Sequence, residues 1–560
     1  MSQPIKWEKE LHCDVLIIGG GGAAARAAIA AAQAGADTLM VLKRHLGASG
    51  ATTHKCCEIA GFNVPGSGDA RDGADTYLAD MLGAGLGMAD PALAALLADR
   101  VSDRFEDLRR WGLEPATEDG KPIIMKGCYS NYRRGYTIKG HGEPIMRALI
   151  GQIRALPIRI LEESMAVDLI VEEGRCYGAL VLNGSEEFLL VRAGAVILAT
   201  GGASQIFLNN LNPTDVCGDG YSLAYDHGAA LMNMEFMQAG IGFFHPVKSL
   251  FNTYLWAGHP ELRNCRGELF LEKYLPAGLR AEDVMLAHCR HFPFSSRDES
   301  RYLEIAIQKE IENGGGTARM CVPVSFRHFS PEYIRSLEYD ADLKQLWPLV
   351  VEHFAEEGVD ILRDAIEITC VAQAVNGGIV IDPRCMSTIE GLFAAGETAA
   401  GPHGADRLGG NMMGACQVFG EIAGREAADF AKAHASAGPI AVPERFPHLE
   451  LLYRDLPVEQ RTRELQELAQ AKLFVCRTEE KLQIMLDSTA RMKEELASAP
   501  LSPEPMRGRL ELYHKLNTAQ IMASAAIRRR ESRGSHYRED YPDRDDENYA
   551  APILLRKEGV

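Results

Sequence analysis

Residues 13–34 read CDVLIIGGGGAAARAAIAAAQA, and this stretch decides the fold. A short apolar run that ends in glycine predicts a strand buried on both faces. The small residues that follow predict a helix, and ADTLMVLK at 36–43 predicts the next parallel strand. The order is therefore strand, tight turn, helix and strand.

The turn itself carries a glycine pattern. Gly19, Gly21 and Ala24 fit G-x-G-x-x-A directly after the strand, and Gly22 lies in the same turn. In this pattern Gly19 permits the tight turn, Gly21 lets the backbone approach a pyrophosphate, and Ala24 lets the helix pack on the sheet. The free N–H groups of the helix would hold the pyrophosphate. The alternative is a glycine-rich turn that binds nothing.

A second glycine turn points to a long dinucleotide. Leu42 and Lys43 stand where an NAD-binding unit would carry an acidic residue for the ribose, which favours FAD. The stretch 194–202 predicts another strand that ends in a turn facing the nucleotide. The residues of that turn are Ala199, Thr200 and Gly201.

The totals restrict the class of protein. The chain has 560 residues and a formal net charge of −18, so we expect several domains and neither a nucleic-acid nor an anionic-membrane partner. No leader or membrane-spanning run is recognised, which predicts a cytoplasmic protein. The 13 cysteines are scattered without CxxC spacing. They predict reduced thiols, mostly in the core, and neither a metal site nor an iron–sulfur cluster.

Five separated motifs resemble the flavoprotein family of succinate dehydrogenase, fumarate reductase and L-aspartate oxidase. They occur in the order of that family. The motifs are CGDGYSLAYDHGAALMNMEFMQ at 217–238, NCRGELFLEKYLP at 264–276, SSRD at 295–298, GLFAAGETAAGPHGADRLGGN at 391–411 and RRRESRGSHYREDYPDRDDENY at 528–549. The resemblance spans nearly the whole chain.

The resemblance implies an α/β fold with a Rossmann-like FAD-binding domain that is split in sequence. Its two parts would be 1–238 and 369–436, with an inserted α+β capping domain at 239–368. A helical C-terminal domain at 437–560 would follow Pro439 and Pro443.

Apolar side chains at helical spacing predict how the C-terminal region packs. The stretch 457–497 reads as a helix that the prolines at 500, 503 and 505 end. A further helix carries Leu516, Met522 and Ile527. We expect the apolar stripes to pack within the chain. The arginines of RESRGSH alternate with acidic residues, which predicts a mutually neutralising network.

The resemblance assigns two arginines to the substrate. Arg407 matches the arginine that grips a substrate carboxylate, a role that suits a planar fork of donors. Arg297 matches the arginine that relays a proton. The alternatives are structural: for Arg407 an ion pair with Asp406 or a contact with a helix end, and for Arg297 an ion pair with Asp298.

Two departures from the family alter the expected substrate. Gln373 stands where the family has a histidine, and glutamine carries no positive charge. His245 matches a second family histidine only if five residues are inserted, so it is a candidate substrate contact or a packed core residue. These changes predict a substrate that is neither succinate nor fumarate, with one gripped carboxylate and a different far end.

Further flavin contacts carry over by position. The covalent flavin histidine of respiratory members would fall on Gly50, and His54 is out of step, so non-covalent FAD is predicted. The start of the helix at Asn411 would place backbone N–H groups near the reduced flavin. The matching residues are Lys43, Ser49, Thr52, Asp219, Glu397, Asn411, Met412 and Met413.

The functional hypothesis is an FAD-dependent oxidoreductase that acts on a carbon–carbon bond of a small organic carboxylate. One alternative is an amino-acid oxidase like L-aspartate oxidase. Another is an FAD-binding electron-transfer subunit of a complex with an iron–sulfur protein. An iron–sulfur or other electron-transfer partner is possible for the first hypothesis as well.

Overall fold

The computed structural model describes residues 7–337, 341–435 and 446–557. The strands are, in chain order, β1 (Lys9–Ile18), β2 (Thr38–Val41), β3 (Ile59–Asn63), β4 (Thr117–Glu118), β5 (Lys121–Pro122), β6 (Ile124–Met125), β7 (Gly135–Lys139), β8 (Ile158–Leu161), β9 (Met165–Glu172), β10 (Arg175–Leu182), β11 (Phe188–Leu198), β12 (Leu231–Met232), β13 (Met237–His245), β14 (Ser249–Leu250), β15 (Glu261–Leu262), β16 (Val322–Ser325), β17 (Ile366–Val375), β18 (Gly378–Ile379), β19 (Leu392–Ala394) and β20 (Leu554–Leu555).

The helices are spread along the chain from residue 22 to residue 528. They are α1 (Gly22–Gln33), α2 (Ala74–Gly85), α3 (Pro91–Arg110), α4 (Glu143–Ala155), α5 (Asp219–Asp226), α6 (Ala281–His288), α7 (Tyr302–Glu310), α8 (Pro331–Ser336), α9 (Ala341–Glu356), α10 (Asn411–Ala433), α11 (Val458–Lys472), α12 (Glu479–Ser498) and α13 (Arg507–Arg528). No helix within the described ranges is long and apolar enough to cross a membrane.

The main sheet confirms the strand–helix–strand unit at the start of the chain. Its order is β8-β2-β1-β11-β10-β9, and β19 also pairs with β11. β1 runs parallel to both β2 and β11, as expected for a strand whose residues 15–17 are fully buried. The carboxyl ends of β1 and β11 carry the two glycine turns, so both turns lie at one edge of the sheet.

Small residues let α1 pack closely on α10. A Cβ atom added to Gly424 of α10 would lie 2.2 Å from the carbonyl oxygen of Ala27, and one added to Gly420 would lie 2.8 Å from that of Ala23. The alanines of α1 thus permit a helix contact that larger side chains would prevent. This contact holds the first turn of α1 beside the loop that precedes α10.

A five-stranded sheet in the order β14-β13-β17-β16-β15 forms the centre of the inserted region. β13 and β17 pair antiparallel over their length, so they lead into and out of this region side by side. The predicted boundary between the capping domain and the second part of the FAD-binding domain, at residues 368 and 369, falls inside β17. Because β17 pairs with β13 and β16, the sheet places this strand with the cap. The domain boundaries stay a prediction.

The C-terminal helices differ from the sequence expectation in one respect. The stretch 457–497, predicted as one helix, is broken between α11 and α12 at residues 473–478. Thr478 caps α12 by accepting a hydrogen bond from the N–H of Lys481, and Arg477 is buried at the break. The predicted limit at 437, with Pro439 and Pro443, lies outside the described residues.

The apolar stripes pack internally, as predicted. Leu465, Leu482 and Met485 are fully buried, and so is Leu516 in α13. The basic tail forms the predicted ion-pair network, with Arg529 bonded to Glu235 at 2.6 Å and to Glu531 at 2.8 Å. The buried network also ties the tail to the segment between β12 and β13.

Candidate active site

A cavity opens at the carboxyl ends of β1 and β11 and encloses about 1770 Å³ of atom-free space, including its open mouth. Most residues predicted to contact the cofactor lie in its wall. They are Gly19, Gly21, Gly22, Lys43, Ser49, Gly50, Thr52, Ala199, Thr200, Gly201, Asp219, Glu397, Met412 and Met413. The structure therefore brings together positions from six separate segments of the sequence.

The first glycine turn has the geometry that a dinucleotide needs. Gly19 has a φ of 137°, and a Cβ atom there would lie 2.2 Å from the carbonyl oxygen of Ala199. At Gly21 the nearest atom to an added Cβ is 3.8 Å away, so the backbone faces open space. These two glycines fit the turn and the close approach of a pyrophosphate, respectively.

Two predicted contacts do not line the cavity. Ala24 is fully buried in α1, which agrees with its expected packing role. Asn411 accepts hydrogen bonds from Asn63 Nδ2 and from the hydroxyl of Tyr77, both at 2.6 Å. Its side chain therefore fixes the start of α10, and Met412 and Met413 form the cavity wall there.

Lys43 forms a buried charge cluster at the wall. Its Nζ lies 3.3 Å from Asp219 Oδ1 and 3.4 Å from Glu511 Oε1. Burial alone would lower the pKa of Lys43, but Asp219, Cys217 and Glu511 together outweigh it, and the pKa is raised well above its usual value. Glu511 comes from α13, and the sequence analysis missed it.

Asp215 is a second cavity residue that the sequence analysis missed. Its Oδ2 accepts hydrogen bonds from Ser49 Oγ and from the N–H of Gly50, both at 2.9 Å, while its buried Oδ1 has no hydrogen-bond partner among the described residues. An unpaired buried carboxylate oxygen in the wall fits an acceptor for cofactor hydroxyls. His54 is not in the cavity wall, so the wall at this turn presents Gly50.

Glu397 follows β19 and faces the same cavity. Its Oε1 accepts a hydrogen bond of 2.9 Å from the N–H of Val375. Burial raises the pKa of Glu397 to about 7, and the Val375 N–H opposes this only in part. A hydroxyl of the cofactor that donates to this carboxylate would lower the pKa again.

Arg407 lines the cavity and has no carboxylate within ion-pair distance in the part of the chain that the structure describes. Its Nε donates to Gln238 Oε1 at 3.1 Å, and Nη1 donates to the carbonyl of Leu408 at 3.4 Å. Only 8% of the residue is exposed, and burial lowers its pKa despite the attraction of Glu397. The predicted alternative, an ion pair with Asp406, does not form.

Asp406 pairs with Arg297 instead. Arg297 Nη2 and Nε lie 2.7 Å and 3.1 Å from Asp406 Oδ2, and the guanidinium stacks on Tyr129 at 4.3 Å. Burial would lower the pKa of Arg297, but the Asp406 carboxylate raises it. Asp298, the partner in the predicted alternative, pairs with His291.

Arg297 does not itself line the cavity, although neighbouring residues do. The hydroxyl of Tyr129, on which Arg297 stacks, donates to the carbonyl of Pro293, and both Pro293 and Cys128 are wall residues. Nη1 of Arg297 makes no hydrogen bond to a described residue, which leaves one end of the guanidinium without a protein acceptor there. Its proton-relay role stays a prediction.

Gln373 lines the cavity, whereas His245 does not. The buried Oε1 of Gln373 has no hydrogen-bond partner among the described residues, and its main-chain carbonyl accepts from Asn212 Nδ2 at 2.9 Å. His245 ends β13 opposite Glu367, outside the cavity wall. The structure thus places Gln373 in the cavity wall and His245 outside it, and the substrate roles of both stay predictions.

The part of the wall that comes from the cap carries no formal charge within the described ranges. Its residues are Leu250, Asn252, Phe292, Pro293, Ala372, Gln373 and Ala374.

The 13 cysteines are all free, and most of them are buried as predicted. Four of them, however, lie in the wall: Cys56, Cys57, Cys128 and Cys416.

Comparison with known proteins agrees with this arrangement. Residues 14–413 match the family described as FAD binding domain, and residues 462–559 match fumarate reductase flavoprotein C-term. An uncharacterized FAD-dependent oxidoreductase of Methanocaldococcus jannaschii is 32% identical to this chain, with 95% of the chain and 94% of the relative covered. One chain of the fumarate reductase (CoM/CoB) of Methanothermobacter marburgensis is 30% identical, with 98% of each covered.

A solved structure shows the same fold over its length. Mycobacterium smegmatis Sdh1 in complex with UQ1 has a TM-score of 0.81 and 28% identity, and the match covers 99% of this chain and 93% of that one. The predicted α/β fold class and the predicted cofactor, FAD, are therefore confirmed.

Proposed function

Because this chain belongs to the FAD-dependent oxidoreductase family that includes the fumarate reductase flavoproteins, we propose that it acts on a carbon–carbon bond of an organic monocarboxylate. Bound FAD supplies the hydride-exchanging centre for this chemistry. The protein's own residues bind the carboxylate, orient the bond and move a proton. The proposed substrate is neither succinate nor fumarate.

The observation that carries the proposal is the buried guanidinium of Arg407, which has no acidic partner among the described residues. Leaving a buried cation without a counter-ion costs several kcal/mol, so such a group is expected to have an anionic ligand. Its two protein acceptors, Gln238 and the carbonyl of Leu408, are neutral. A substrate carboxylate in the cavity would accept the remaining N–H groups and neutralise the charge.

The wall beyond Arg407 favours an uncharged far end of the substrate. A dicarboxylate would place its second charge against the cap, where the described wall residues carry no formal charge. Gln373 offers an amide there, which satisfies a neutral polar group and cannot neutralise a carboxylate. A monocarboxylate whose far end is an amide, an ester, a hydroxyl or an apolar group fits this wall.

We assign the proton step to Arg297 with Asp406. The carboxylate of Asp406 binds Nε and Nη2 and leaves Nη1 available to a substrate that lies beside Tyr129. A proton held on Nη1 can be exchanged with the substrate carbon while Asp406 stabilises the charged form. Arginine is a weak acid and the Asp406 carboxylate raises its pKa further, so Asp406 contributes by positioning the guanidinium, and the step depends on a substrate held close to Nη1.

The test follows oxidation of the photoreduced holoprotein under anaerobic conditions. Fumarate and its monoamide form a matched pair of similar size and shape, in which one end is either a carboxylate or a neutral amide. We expect the monoamide to restore the oxidised flavin spectrum faster than fumarate does. Gln373→His should shift the preference toward fumarate, and Arg407→Gln should abolish the response to both compounds. Arg175 lies outside the cavity wall, so Arg175→Gln should leave the parent preference unchanged.

The same assay separates the alternatives. Equal or faster oxidation by fumarate would refute the proposed substrate class. Peroxide formation with an amino acid in air would favour an oxidase, and failure to turn over any carboxylate with an artificial dye would favour an electron-transfer role. Denaturation should release a free yellow flavin, which tests the predicted non-covalent attachment, and co-purification of an iron–sulfur chain tests for an electron-transfer partner.

A further inference from the structure

Three side chains from distant parts of the chain converge at β9, the edge strand of the main sheet. Asp168 lies on β9, His227 follows α5, and His448 lies between α10 and α11. The Nε2 atom of His227 is 2.6 Å from Asp168 Oδ1, and Nδ1 of His448 is 3.0 Å from the same oxygen. All three candidate ligand atoms lie within 4.8 Å of one another.

The orientation of His448 is unusual for a simple ion pair. Its Nε2 lies 3.0 Å from Asp226 Oδ2, which fits an N–H that donates to this carboxylate. Its Nδ1 is buried and makes no hydrogen bond to a described residue although Asp168 is close. If Nε2 alone carries a proton, Nδ1 presents a lone pair toward the Asp168 carboxylate, and either a second proton or a metal ion between them would satisfy both atoms.

We propose that Asp168, His227 and His448 bind a divalent transition metal ion, with zinc as the best fit. Two imidazoles and one carboxylate are ligands that zinc prefers, and a water molecule would complete a four-coordinate site. The contact between His448 and Asp226 is the carboxylate–histidine pairing that commonly orients a metal-bound imidazole. None of the three residues lines the flavin cavity, so this site is separate from it.

The local charges favour a cation at this position. Asp168 is fully buried, so its carboxylate needs compensation. Asp226 already has Lys557 at 2.8 Å and accepts from the Tyr513 hydroxyl at 2.9 Å. Among the described residues, the two histidines are therefore the main partners of Asp168, and a metal ion bound by all three would neutralise it.

A proton on His448 is the competing occupant. In the metal-free protein burial opposes protonation, but Asp168 and Asp226 raise the pKa of His448 to about 9. A metal ion must displace this proton, so the metal affinity should increase with pH. Ligand atoms around zinc lie about 3.3 Å apart at metal–ligand distances of about 2.0–2.1 Å, so His227 and Asp168 must separate slightly on binding.

The site would tie together three parts of the fold. β9 lies at the edge of the main sheet, α5 leads from Asp219 at the flavin cavity to Asp226, and His448 belongs to the C-terminal region. Metal binding would therefore fasten the C-terminal region to the flavin-binding domain. The sequence shows no metal motif because the ligands are separated by 59 and 221 positions in the chain.

The experiment titrates metal-stripped holoprotein with Co²⁺, which replaces zinc and is visible when four-coordinate. We expect one equivalent per chain with an absorption spectrum of nitrogen and oxygen ligands, displacement by Zn²⁺, and a higher unfolding temperature with either ion. Asp226→Asn should weaken binding about 10- to 100-fold, and His227→Gln should weaken it further. His45→Gln removes a solvent-exposed histidine paired with Glu162 and should bind metal like the parent.

Several results would overturn the proposal. One is the absence of stoichiometric Co²⁺ binding to the parent protein above pH 7. Another is binding that His227→Gln and His448→Gln leave unchanged, or a spectrum with the intense near-ultraviolet bands of thiolate ligands, which would place the metal on cysteines. His227 is the less buried ligand, so its variant gives the answer even if the His448 variant fails to fold.

Discussion

Replacing Arg407 with glutamine should remove activity and yet stabilise the substrate-free protein. The change deletes a buried charge that has no acidic partner among the described residues and keeps an amide donor for Gln238. An unpaired buried ion costs several kcal/mol, and hydrogen bonds to a charged group recover about 1.5–3 kcal/mol. The balance predicts a gain of about 1 kcal/mol in the free energy of unfolding for Arg407→Gln.

The effect of Arg407→Gln on substrate binding should be opposite to its effect on stability, because the variant loses the cation that pairs with the substrate carboxylate. Removing one partner of a buried charge pair costs about 3–5 kcal/mol, which corresponds to a loss of about 10²- to 10⁴-fold in kcat/KM. The carboxylate that best reoxidises the photoreduced flavin is the substrate for this measurement. Binding of this carboxylate should also raise the unfolding temperature of the parent protein and leave that of Arg407→Gln unchanged.

Arg134→Gln is the matched control. Arg134 is also buried, more completely than Arg407, but it pairs with Asp72 at 2.7 Å and with Asp80 at 2.8 Å. Its replacement leaves two buried carboxylates without their cation and should destabilise the protein by about 3–5 kcal/mol. Urea unfolding of both holoprotein variants without carboxylate gives the comparison. If Arg407→Gln destabilises as strongly as Arg134→Gln and keeps its turnover, Arg407 is a structural residue and the reasoning fails.

Three further predictions concern the remaining buried charges. Asp406→Asn should lower kcat by about 10²-fold or more with little change in KM, because it removes the partner that holds Arg297 for the proton step; equal effects on kcat and KM would contradict this. Lys43→Met should destabilise the protein by about 3–5 kcal/mol and weaken FAD retention on gel filtration, because it leaves Asp219 without its nearest cation. For Glu397 the folded-state pKa of about 7 is above the unfolded value, so its contribution is fully present below about pH 4.5 and is lost as pH rises through 7. Flavin-free Glu397→Gln should therefore be more stable than the parent above pH 7 by at most about 3 kcal/mol, with the difference vanishing in acid; a pH-independent difference would refute this.

The features that the sequence predicted correctly depend on local patterns. The strand, turn and helix around Gly19 and Gly21 could be identified because apolar runs and glycines act over a few residues. Arg407 and Gln373 could be placed at the cavity because they lie in motifs that resemble those of the family. Helix α13 followed from its apolar spacing and from the prolines before it.

The features that were missed depend on long-range contacts. Asp215 meets the loop at Ser49, and Glu511 meets Lys43 across most of the chain, so no local pattern identifies either residue. The break between α11 and α12 comes from the burial of Arg477 in tertiary contacts, which overrides a continuous helical pattern. His245 could not be excluded from the site by spacing alone, because an insertion could have restored the register.

In the proposed mechanism, the ion pair between Arg297 and Asp406 would link proton transfer to the position of the cap. Arg297 belongs to the inserted region, whereas Asp406 precedes Arg407 in the loop before α10, so the two side chains meet only when the cap lies over the flavin-binding domain. Adjacent residues of one loop thus have different partners: Asp406 pairs with Arg297, and Arg407, which has no acidic partner among the described residues, is the one that we propose binds the substrate. Opening of the cap would separate Arg297 from Asp406 and expose the cavity to water. Proton delivery and exclusion of water would therefore begin in the same movement, which prevents the site from reacting before the substrate is enclosed.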